Sequence, residues 1–523
     1  MHRMRASGSY RLFFVVIVAA VAIAVSTYLV IRSRQPQPIP FRGAIAPSGN
    51  DRSALQSTKL VSLDKGVDAE QLRASVAAAN VVICIMDAAR ADHFGAYGYP
   101  RETTPNFDRL AKEAVVFDQH FTQYTQTSPS TATLFSGQYP DTHGVAVPRT
   151  GNSKEALRPL EPGAFTIDKA MAREGFHTLL FTSTPASAPV LRLGADFQVL
   201  YTPAGMVYTK EEDALWRSPE HLLDLIRSTL SRDPRFFTYV HFLPPHNPYE
   251  APEKLRALFR GKPAPRYWET APAFTHVYDR FHDQDPPATG ADWVNLYDAE
   301  LRWSDWAVGQ LVDYLKAIGA YDNTLLIVTA DHGEALGEHR YQWHATCPYN
   351  ETLHIPLLIK FPGSDHPVGR IGALTEIVDI FPTILDLLRV HPPKGALQGK
   401  SLVPLLAGRA EELRDYTFTR TNGKWPCYVI RDHRWALLLY QGGTMRALYD
   451  LVTDPRQTHN IIAEQPKQAA AMVAAFVRFA KTQTFVPLDF VDRRFKPLAA
   501  PVSSGSAMSD ETRRKLRSLG YID

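Results

Sequence analysis

The sequence predicts an α/β fold in which a large sheet lies between layers of helices and a small antiparallel sheet follows. Continuous apolar runs, such as Val81–Met86 and Leu325–Ala330, are typical of strands that are buried on both faces. Helical patterns alternate with these runs, which favours a mostly parallel sheet. After about residue 400, four short strand patterns at close spacing and one helical pattern indicate the second sheet.

The elements follow one another along the chain in a regular order. Apolar or β-branched runs predict strands at 81–86, 115–117, 177–181, 236–242, 323–330, 355–361, 417–419, 427–431, 435–440 and 447–450. Capping residues and helical periodicity predict helices at 104–114, 129–136, 164–173, 219–230, 292–318, 377–388 and 466–481. These elements predict a catalytic domain over residues 79–398 and a C-terminal subdomain over residues 399–497, followed by a tail at 498–523.

The N-terminal residues predict a membrane anchor over residues 1–34. Residues 12–31 are uncharged and almost wholly apolar, and Arg11 and Arg32 flank them. This stretch matches the roughly 20 residues that cross a bilayer. A cleaved signal peptide is the alternative. Residues 35–78 show little periodicity and are expected to form a linker. With the anchor in the membrane, the catalytic domain is expected to lie outside the cytoplasm.

The composition is that of a globular protein without a strong electrostatic partner. The 523 residues carry a net charge of +3, which is too small to indicate a nucleic-acid partner. A content of three cysteines excludes a disulfide framework. Cys84 lies inside a buried apolar run, and the sequence leaves open whether Cys347 and Cys427 form a bridge.

Two of the predicted strands are followed directly by residues that bind metals. Asp87 follows the run that ends at Met86, and Asp331 and His332 follow the run that ends at Ala330. Ligand sites in such sheets form beyond the carboxyl ends of the strands. Carboxylate and imidazole groups together suit one divalent metal ion, with Ca²⁺, Mn²⁺ and Zn²⁺ all open. A turn with a hydrogen-bonded acid is the alternative.

Hydroxyl and imidazole groups supply further candidates. Thr127 enters a predicted helix, whose N-terminus favours an oxyanion, and a hydroxyl there could attack phosphorus or sulfur if a metal lowered its pKa. Simple helix capping is the alternative. His246 lies in a proline-rich loop after a strand and is a candidate general acid. His241 lies within that strand and is interpreted as a hydrogen-bonded core residue.

Several motifs stand in a recognisable order along the chain. They include NVVICIMDAARADH at 80–93, PSTATLFSGQYPDTHG at 129–144, PHNPY at 245–249, YDNTLLIVTADHGE at 321–334 and LYDLVTDP at 448–455. In this order they resemble the sulfatase family of the alkaline phosphatase superfamily, over roughly residues 79–460. The resemblance implies an alkaline-phosphatase-like large mixed sheet with a small four-stranded subdomain. It also implies that Asp87, Asp331 and His332 are metal ligands and that Thr127 holds the nucleophile position.

The sequence departs from the family pattern at several site positions. The signature Cys/Ser-x-Pro-Ser-Arg is replaced by a segment that starts at Thr127 and ends at Thr131, and threonine is not converted to formylglycine. The paired acids of the family are Asp87 and Ala88 here. Residues 182–184 lack the Lys and His that bind sulfate, and the nearest equivalent of a later lysine is His344. These features are similar to the threonine-nucleophile relatives, which include phosphodiesterases and phosphoethanolamine and phosphoglycerol transferases.

The sequence therefore predicts a membrane-anchored, metal-dependent hydrolase of sulfate or phosphate esters with Thr127 as its nucleophile. His246 is the expected general acid, and Arg90 and His344 are expected to stabilise the anion or the site. The expected substrate is a sulfated or phosphorylated small molecule, glycan or lipid head group. Two alternatives stay open: a transferase that acts on surface glycans or lipids, and a catalytically impaired binding protein with the same fold.

Overall fold

The computed structural model describes most of the chain between residues 60 and 484. The described ranges are 60–64, 67–145, 159–187, 196–203, 210–263, 290–364, 366–422, 426–440 and 446–484. The predicted anchor at residues 12–31 and the predicted tail at 498–523 lie outside these ranges. Within them, no helix combines the length and the apolar character that crossing a bilayer requires.

A mixed sheet of nine strands lies at the centre of the fold, as predicted. The strands of the described chain are β1 Val61–Leu63, β2 Asn80–Met86, β3 Val115–Phe121, β4 His177–Thr182, β5 Val199–Tyr201, β6 Phe236–Phe242, β7 Thr324–Thr329, β8 Ala335–Leu336, β9 Gln342–Trp343, β10 Leu357–Lys360, β11 Gly369–Glu376, β12 Thr417–Arg420, β13 Cys427–Arg431, β14 Trp435–Tyr440 and β15 Arg446–Asp450. The large sheet has the order β1-β11-β3-β10-β7-β2-β6-β4-β5. Its neighbouring strands are parallel, except that β1 and β10 run opposite to theirs.

Helices pack against the large sheet and share one continuous apolar core with it. The described helices are α1 Ala69–Val76, α2 Pro105–Leu110, α3 Thr127–Ser136, α4 Pro140–His143, α5 Ile167–Arg173, α6 Lys210–Arg217, α7 Pro219–Thr229, α8 Glu253–Phe259, α9 Gly290–Ala317, α10 Asn350–Leu353, α11 Ile380–Leu387, α12 Val403–Leu406 and α13 Pro466–Ala480. Helix α3 is buried along its whole length and ends at Gly137, whose φ of 62° suits glycine.

Part of the stretch predicted as a linker belongs instead to the folded domain. Strand β1 pairs antiparallel with β11 at the edge of the large sheet. Helix α1 begins after Asp68, whose carboxylate accepts a hydrogen bond from the Glu70 amide, and it buries Leu72 and Val76 in the core. The linker prediction is therefore wrong for residues 60–64 and 67–78. So short a helix, with two large apolar residues, shows little periodicity in the sequence.

The four predicted C-terminal strands form the small antiparallel sheet, with β12 to β15 paired in sequence order. Alternate residues of β13 point to opposite faces, as in any strand. Tyr428 and Ile430 share an apolar cluster with Met472 of α13. Cys427 and Val429 share another with residues of the large domain. The small sheet is therefore covered by a helix on one side and by the catalytic domain on the other.

All three cysteines are buried free thiols. Cys84 lies within β2, in the core of the large sheet. Cys347 and Cys427 belong to the same apolar cluster between the two sheets, but no disulfide joins them. Cys347 and Cys427, whose pairing the sequence leaves open, are therefore two separate thiols.

A buried ion cluster connects the large sheet to the segment before the small one. Arg414 contacts the carboxylates of Glu376 and Asp379, both of which are fully buried. The hydroxyl of Tyr139 donates to Glu376 Oε2 at 2.6 Å, and the Phe418 amide donates to Glu376 Oε1 at 2.9 Å. Because one guanidinium serves two buried acids, its loss would leave uncompensated negative charge in the interior.

Replacing this guanidinium is therefore expected to destabilise the protein strongly. Arg414→Met should lower the free energy of unfolding by about 3–5 kcal/mol, the usual cost of breaking a buried ion pair. Urea unfolding of the purified full chain measures this loss. Arg370→Met is the matched control, since Arg370 pairs with Asp118 at the surface, and its cost should stay within about 1 kcal/mol. Equal losses in the two variants would contradict the buried cluster as a structural link.

Candidate active site

Three neighbouring parallel strands bring the predicted metal ligands to one edge of the large sheet. Strand β2 lies between β7 and β6, and Ile85 of β2 pairs with Thr329 of β7 and with His241 of β6. Asp87 comes two residues after Ile85, and Asp331 comes two residues after Thr329. The side chains meet there because the carboxyl ends of parallel strands share an edge.

Asp87, Asp331 and His241 form a buried group whose ligand atoms all lie within 4.8 Å of one another. The Nε2 atom of His241 lies 3.2 Å from Asp87 Oδ2. The Nε2 atom of His332 lies 3.4 Å from Asp331 Oδ2 and 3.7 Å from Asp87 Oδ1. The structure thus brings the three predicted ligands together and adds His241, which the sequence analysis assigned to the core.

The donor atoms of this group fit a divalent cation. Among the described residues, the Oδ2 atom of Asp331 and the Nε2 atom of His241 are buried without a hydrogen-bond partner, and the Asp87 carboxylate is fully buried beside them. Burial, reinforced by the charge of Asp331, raises the pKa of Asp87 well above its usual value. Burial also lowers the pKa of His241 to about 4, which keeps its imidazole neutral at pH 7. A cation would offset the negative charge and take up the unpaired atoms.

Thr127 is the first residue of α3 and reaches the same group. Its Oγ1 atom lies 3.2 Å from His332 Nε2, and its hydroxyl lies beside the Asp87 carboxylate. The Nδ1 atom of His332 donates to the Gly333 carbonyl at 2.9 Å, which leaves Nε2 directed at Thr127 and the acids. The predicted nucleophile and the predicted ligands therefore occupy one site.

Two more imidazoles and an acid line this site. The ring centroid of His344 lies 4.3 Å from that of His332 and 4.9 Å from that of His246. The Nδ1 atom of His344 is hydrogen-bonded to Glu334 Oε1 at 3.1 Å. Burial lowers the pKa of His246 to about 3 and that of His344 well below its usual value, so both rings are neutral at pH 7. Glu334 is a site residue that the sequence analysis did not select.

The buried side chain of Arg90 is held by two ion pairs next to the site. Its guanidinium donates to Asp92 at 2.8 and 2.9 Å and to Glu338 Oε1 at 2.6 Å. It also donates to the Glu334 carbonyl at 3.0 Å. These contacts tie the segment after β7 to the segment after β2, which is a positioning role. Its expected action on the anion stays a prediction.

The turn after β2 is fixed at Ala88, where the family pattern has a second acid. Ala88 has a φ of 61°, in the left-handed region, and its amide donates to Asp331 Oδ1 at 3.1 Å. The hydroxyl of Tyr297, on α9, donates to the Ala88 carbonyl at 2.9 Å and accepts from the Arg90 amide at 3.0 Å. At the position where the family pattern has a second acid, this chain therefore offers only the backbone amide of Ala88, which binds Asp331.

Gly333 follows His332 at a point where two chain segments come very close together. A Cβ atom at residue 333 would lie only 2.1 Å from the Glu351 carbonyl oxygen. The Gly333 amide donates to the Thr352 carbonyl at 3.0 Å, which holds the two segments in contact. Because the Gly333 carbonyl accepts from His332 Nδ1, this close approach sets the orientation of the imidazole.

The family of this chain follows from comparison with known proteins. The profile of one family, described as Sulfatase, matches residues 79–390, which is more than half of the chain. The chain belongs to the sulfatase family. A second profile, described as N-sulphoglucosamine sulphohydrolase, C-terminal, matches residues 337–479 of this sulfatase-family protein. The resemblance inferred from the sequence is therefore confirmed at the level of the family.

The relatives of this sulfatase-family protein include ester hydrolases. It is 27% identical over 406 residues to the multifunctional alkaline phosphatase superfamily protein PehA of Trinickia caryophylli, covering 63% of this chain and 77% of the relative. It is 26% identical over 431 residues to an endo-4-O-sulfatase of Bacteroides thetaiotaomicron, covering 70% and 82%. The crystal structure of a phosphonate monoester hydrolase of Agrobacterium radiobacter shares the fold, with a TM-score of 0.60 and 24% identity over 77% of this chain and 95% of that one. The family and these relatives identify an ester hydrolase.

His241 is the ligand candidate that the sequence analysis placed in the core. Its available signal was its position as the penultimate residue of β6, one residue from the edge where Asp87 and Asp331 lie. Every residue of β6 is buried, so the alternation of polar and apolar residues that marks a functional face is absent. Only the register of the sheet reveals the proximity.

A methyl group at residue 333 is expected to disturb both the fold and the site. Gly333→Ala should lower the free energy of unfolding by about 1–3 kcal/mol, the usual cost of overpacking, and should weaken metal binding because His332 is displaced. Urea unfolding and metal analysis of the purified full chain measure the two effects. Gly163→Ala is the control, since a Cβ there meets no atom within 4 Å. Identical behaviour of the two variants would contradict the close approach.

Proposed function

We propose that this protein is a membrane-anchored hydrolase that cleaves sulfate or phosphate esters with Thr127 as a covalent nucleophile. One observation carries the proposal. The Thr127 hydroxyl stands at the N-terminus of a buried helix, 3.2 Å from His332 Nε2 and beside Asp87. A hydroxyl in this place can attack the sulfur or phosphorus atom of a tetrahedral ester.

Asp87, Asp331 and His332 hold a divalent cation in this proposal, as the family resemblance implies. When bound, the cation lowers the pKa of the Thr127 hydroxyl enough for its proton to be lost to water. Helix α3 contributes partial positive charge at its N-terminus, which favours the oxygens of the transferred group. The chain's own groups thus position the nucleophile and the anion together.

Two chemical steps complete the hydrolysis. Thr127 Oγ forms a bond to sulfur or phosphorus, the ester bond breaks, and its electron pair goes to the oxygen of the leaving alcohol. His246 then donates a proton from Nε2 to that oxygen, while its Nδ1 stays bound to the Asn247 carbonyl at 2.5 Å. Water then attacks the same sulfur or phosphorus atom and breaks its bond to Thr127 Oγ, giving one proton to the threonine oxygen and the other to His246 Nε2 as the inorganic anion leaves.

The protonation of His246 depends on the substrate in this scheme. Burial lowers its pKa to about 3, so the ring is neutral in the substrate-free site at pH 7. An anionic ester bound beside it raises that pKa, because an opposite charge favours the protonated ring. His246 therefore acquires the transferable proton together with the substrate.

We infer that the ester group is carried on a glycan. Two relatives support this class by their names: the endo-4-O-sulfatase of Bacteroides thetaiotaomicron and an ulvan-active sulfatase of Formosa agariphila, which is 25% identical over 424 residues. PehA is named as a multifunctional protein of the alkaline phosphatase superfamily, and we therefore also include phosphate esters among the proposed substrates. The substrates to test are therefore sulfated glycans together with generic sulfate and phosphate esters.

Removal of the Thr127 hydroxyl is expected to abolish turnover. Thr127→Ala should lower kcat by about 10⁴-fold, since losing a covalent nucleophile removes the whole pathway. The full chain, purified in detergent, is assayed with aryl sulfate, aryl phosphate, a phosphodiester and sulfated glycans, with and without added metals. Ser128→Ala is the matched control, because Ser128 Oγ donates to the Ala186 carbonyl at 2.8 Å, and its activity should stay within about tenfold of the original.

The products decide between the remaining alternatives. Free inorganic anion and free alcohol are expected from a hydrolase, whereas a newly modified glycan or lipid would identify a transferase. Full activity in Thr127→Ala would contradict the nucleophile. Turnover of none of these substrates with any metal would favour an impaired binding protein instead.

We further propose that residues 12–31 anchor the protein in a membrane, with the catalytic domain outside the cytoplasm. The support is an uncharged apolar stretch of sufficient length between two arginines. The full chain should stay in the membrane fraction after a carbonate wash at high pH and should be digested by protease added outside intact cells. A mature protein whose N-terminus begins after this stretch would contradict the anchor and support a cleaved signal peptide.

A further inference from the structure

We propose that His241 is a metal ligand that takes the place of the second acid missing at Ala88, and that the resulting site selects Zn²⁺ over Ca²⁺. The inference rests on the proposed function, since it concerns the metal of the same site. Its tests measure metal binding, so they can succeed or fail separately from turnover.

His241 presents one ring nitrogen to the space between the acids. Its Nδ1 atom is hydrogen-bonded to the Tyr239 hydroxyl at 2.9 Å, which fixes the plane of the ring. Its Nε2 atom lies 3.2 Å from Asp87 Oδ2 and, within the described part of the chain, has no hydrogen-bond partner. The side chain is fully buried. A ring with one nitrogen oriented by a partner and the other directed at carboxylates is typical of metal-binding histidine.

The two acids leave their remaining oxygens for the same ion. Asp331 Oδ1 accepts from the amides of Ala88 at 3.1 Å and His332 at 2.9 Å, so Oδ2 is the oxygen that faces the group. The Asp87 carboxylate is fully buried, with the Thr127 hydroxyl and the Nε2 atom of His241 beside it. Position 88 supplies a backbone amide and no carboxylate. The additional metal-binding group at this edge therefore comes from β6, as the imidazole of His241.

One departure from the sulfatase signature lies next to Tyr239. Thr131 stands where the signature has arginine, and its side chain lies beside the Tyr239 hydroxyl. The same hydroxyl is bonded to His241. An arginine at residue 131 would bring positive charge towards the partner of a metal ligand, whereas threonine brings none. Threonine at 131, alanine at 88 and histidine at 241 therefore belong to one arrangement of the site.

The donor set that results is richer in nitrogen than calcium accepts. It contains carboxylates from Asp87 and Asp331 and imidazoles from His241 and His332. Calcium takes six to eight oxygen ligands, whereas imidazole suits zinc and other transition metals. The Nε2 atom of His241 lies 3.2 Å from Asp87 Oδ2, and that of His332 lies 3.4 Å from Asp331 Oδ2 and 3.7 Å from Asp87 Oδ1, so both imidazoles are close enough to share an ion with the acids.

Metal binding by the unaltered protein is the first test. The full chain is purified in detergent, stripped with a chelator, and titrated with Zn²⁺ and Ca²⁺ by calorimetry, with the bound metal counted by mass spectrometry. One zinc ion is expected per chain, bound at least 100-fold more tightly than calcium. With Co²⁺ as a spectroscopic substitute, two paramagnetically shifted imidazole N–H resonances are expected, from His241 and His332.

Substitution of the histidine assigns the ligand. His241→Gln should weaken zinc binding by at least 100-fold and remove one of the two shifted resonances. Tyr239→Phe should weaken it by about 10- to 100-fold, the usual effect of losing the partner that orients a ligand. His120→Gln is the matched control, since His120 is also a fully buried strand histidine but is hydrogen-bonded to Thr375. Its zinc affinity should be unchanged, and circular dichroism verifies that each variant folds.

The outcomes separate the inference from the function on which it rests. Equal affinities for zinc and calcium, unchanged zinc binding in folded His241→Gln, or both N–H resonances surviving in that variant would each overturn the assignment of His241. A protein that binds neither ion would overturn the metal-dependent function itself. Selective zinc binding that is lost in His241→Gln and kept in His120→Gln supports the inference even before any substrate has been found.

Discussion

Two carboxylates buried side by side, on Asp87 and Asp331, are the constraint on which the rest of this structure depends. Each would cost several kcal/mol to remove from water without compensation. Their closeness is imposed by the sheet, since β2 and β7 are parallel neighbours whose ends fall at one level. Two backbone amides donate to Asp331 Oδ1, and imidazoles lie beside the other carboxylate oxygens, so part of the negative charge is stabilised by the protein. The pairing of β2 with β7 therefore creates a site whose remaining negative charge favours a bound cation.

The site divides its tasks between rigid and adaptable parts of the chain. The acids and His241 lie on or directly after central strands, and Thr127 begins a helix that is buried along its whole length. His246, His344 and Glu334 lie instead in loops, where their positions depend on hydrogen bonds to neighbouring groups. Groups that hold an ion and a nucleophile gain from rigidity. Groups that surround the remainder of a substrate can vary in loops without altering the sheet.

The sequence predicted the sheet well because its central strands are continuous apolar runs that end in acids. The same property hid His241, since a strand buried on both faces has no polar face to mark a site. Strand β1 and helix α1 were missed because three and eight residues carry too weak a pattern. The ion pairs of Arg90 were equally hidden, because Glu338 lies 248 positions away along the chain. Local patterns predict elements, whereas contacts across the sheet require its register.

The two sheets are held together without any covalent link, although Cys347 and Cys427 lie in the same apolar cluster between them. Burial is the main cause that raises the pKa of both thiols well above the usual value, so few thiolates form. Their reaction with oxidants or disulfides is correspondingly slow. Apolar packing, the ion cluster at Arg414 and polar contacts such as the Arg420–Asp141 ion pair hold the small sheet to the large domain. Because none of the three cysteines is in a disulfide, reducing conditions have no disulfide bond to break in this fold.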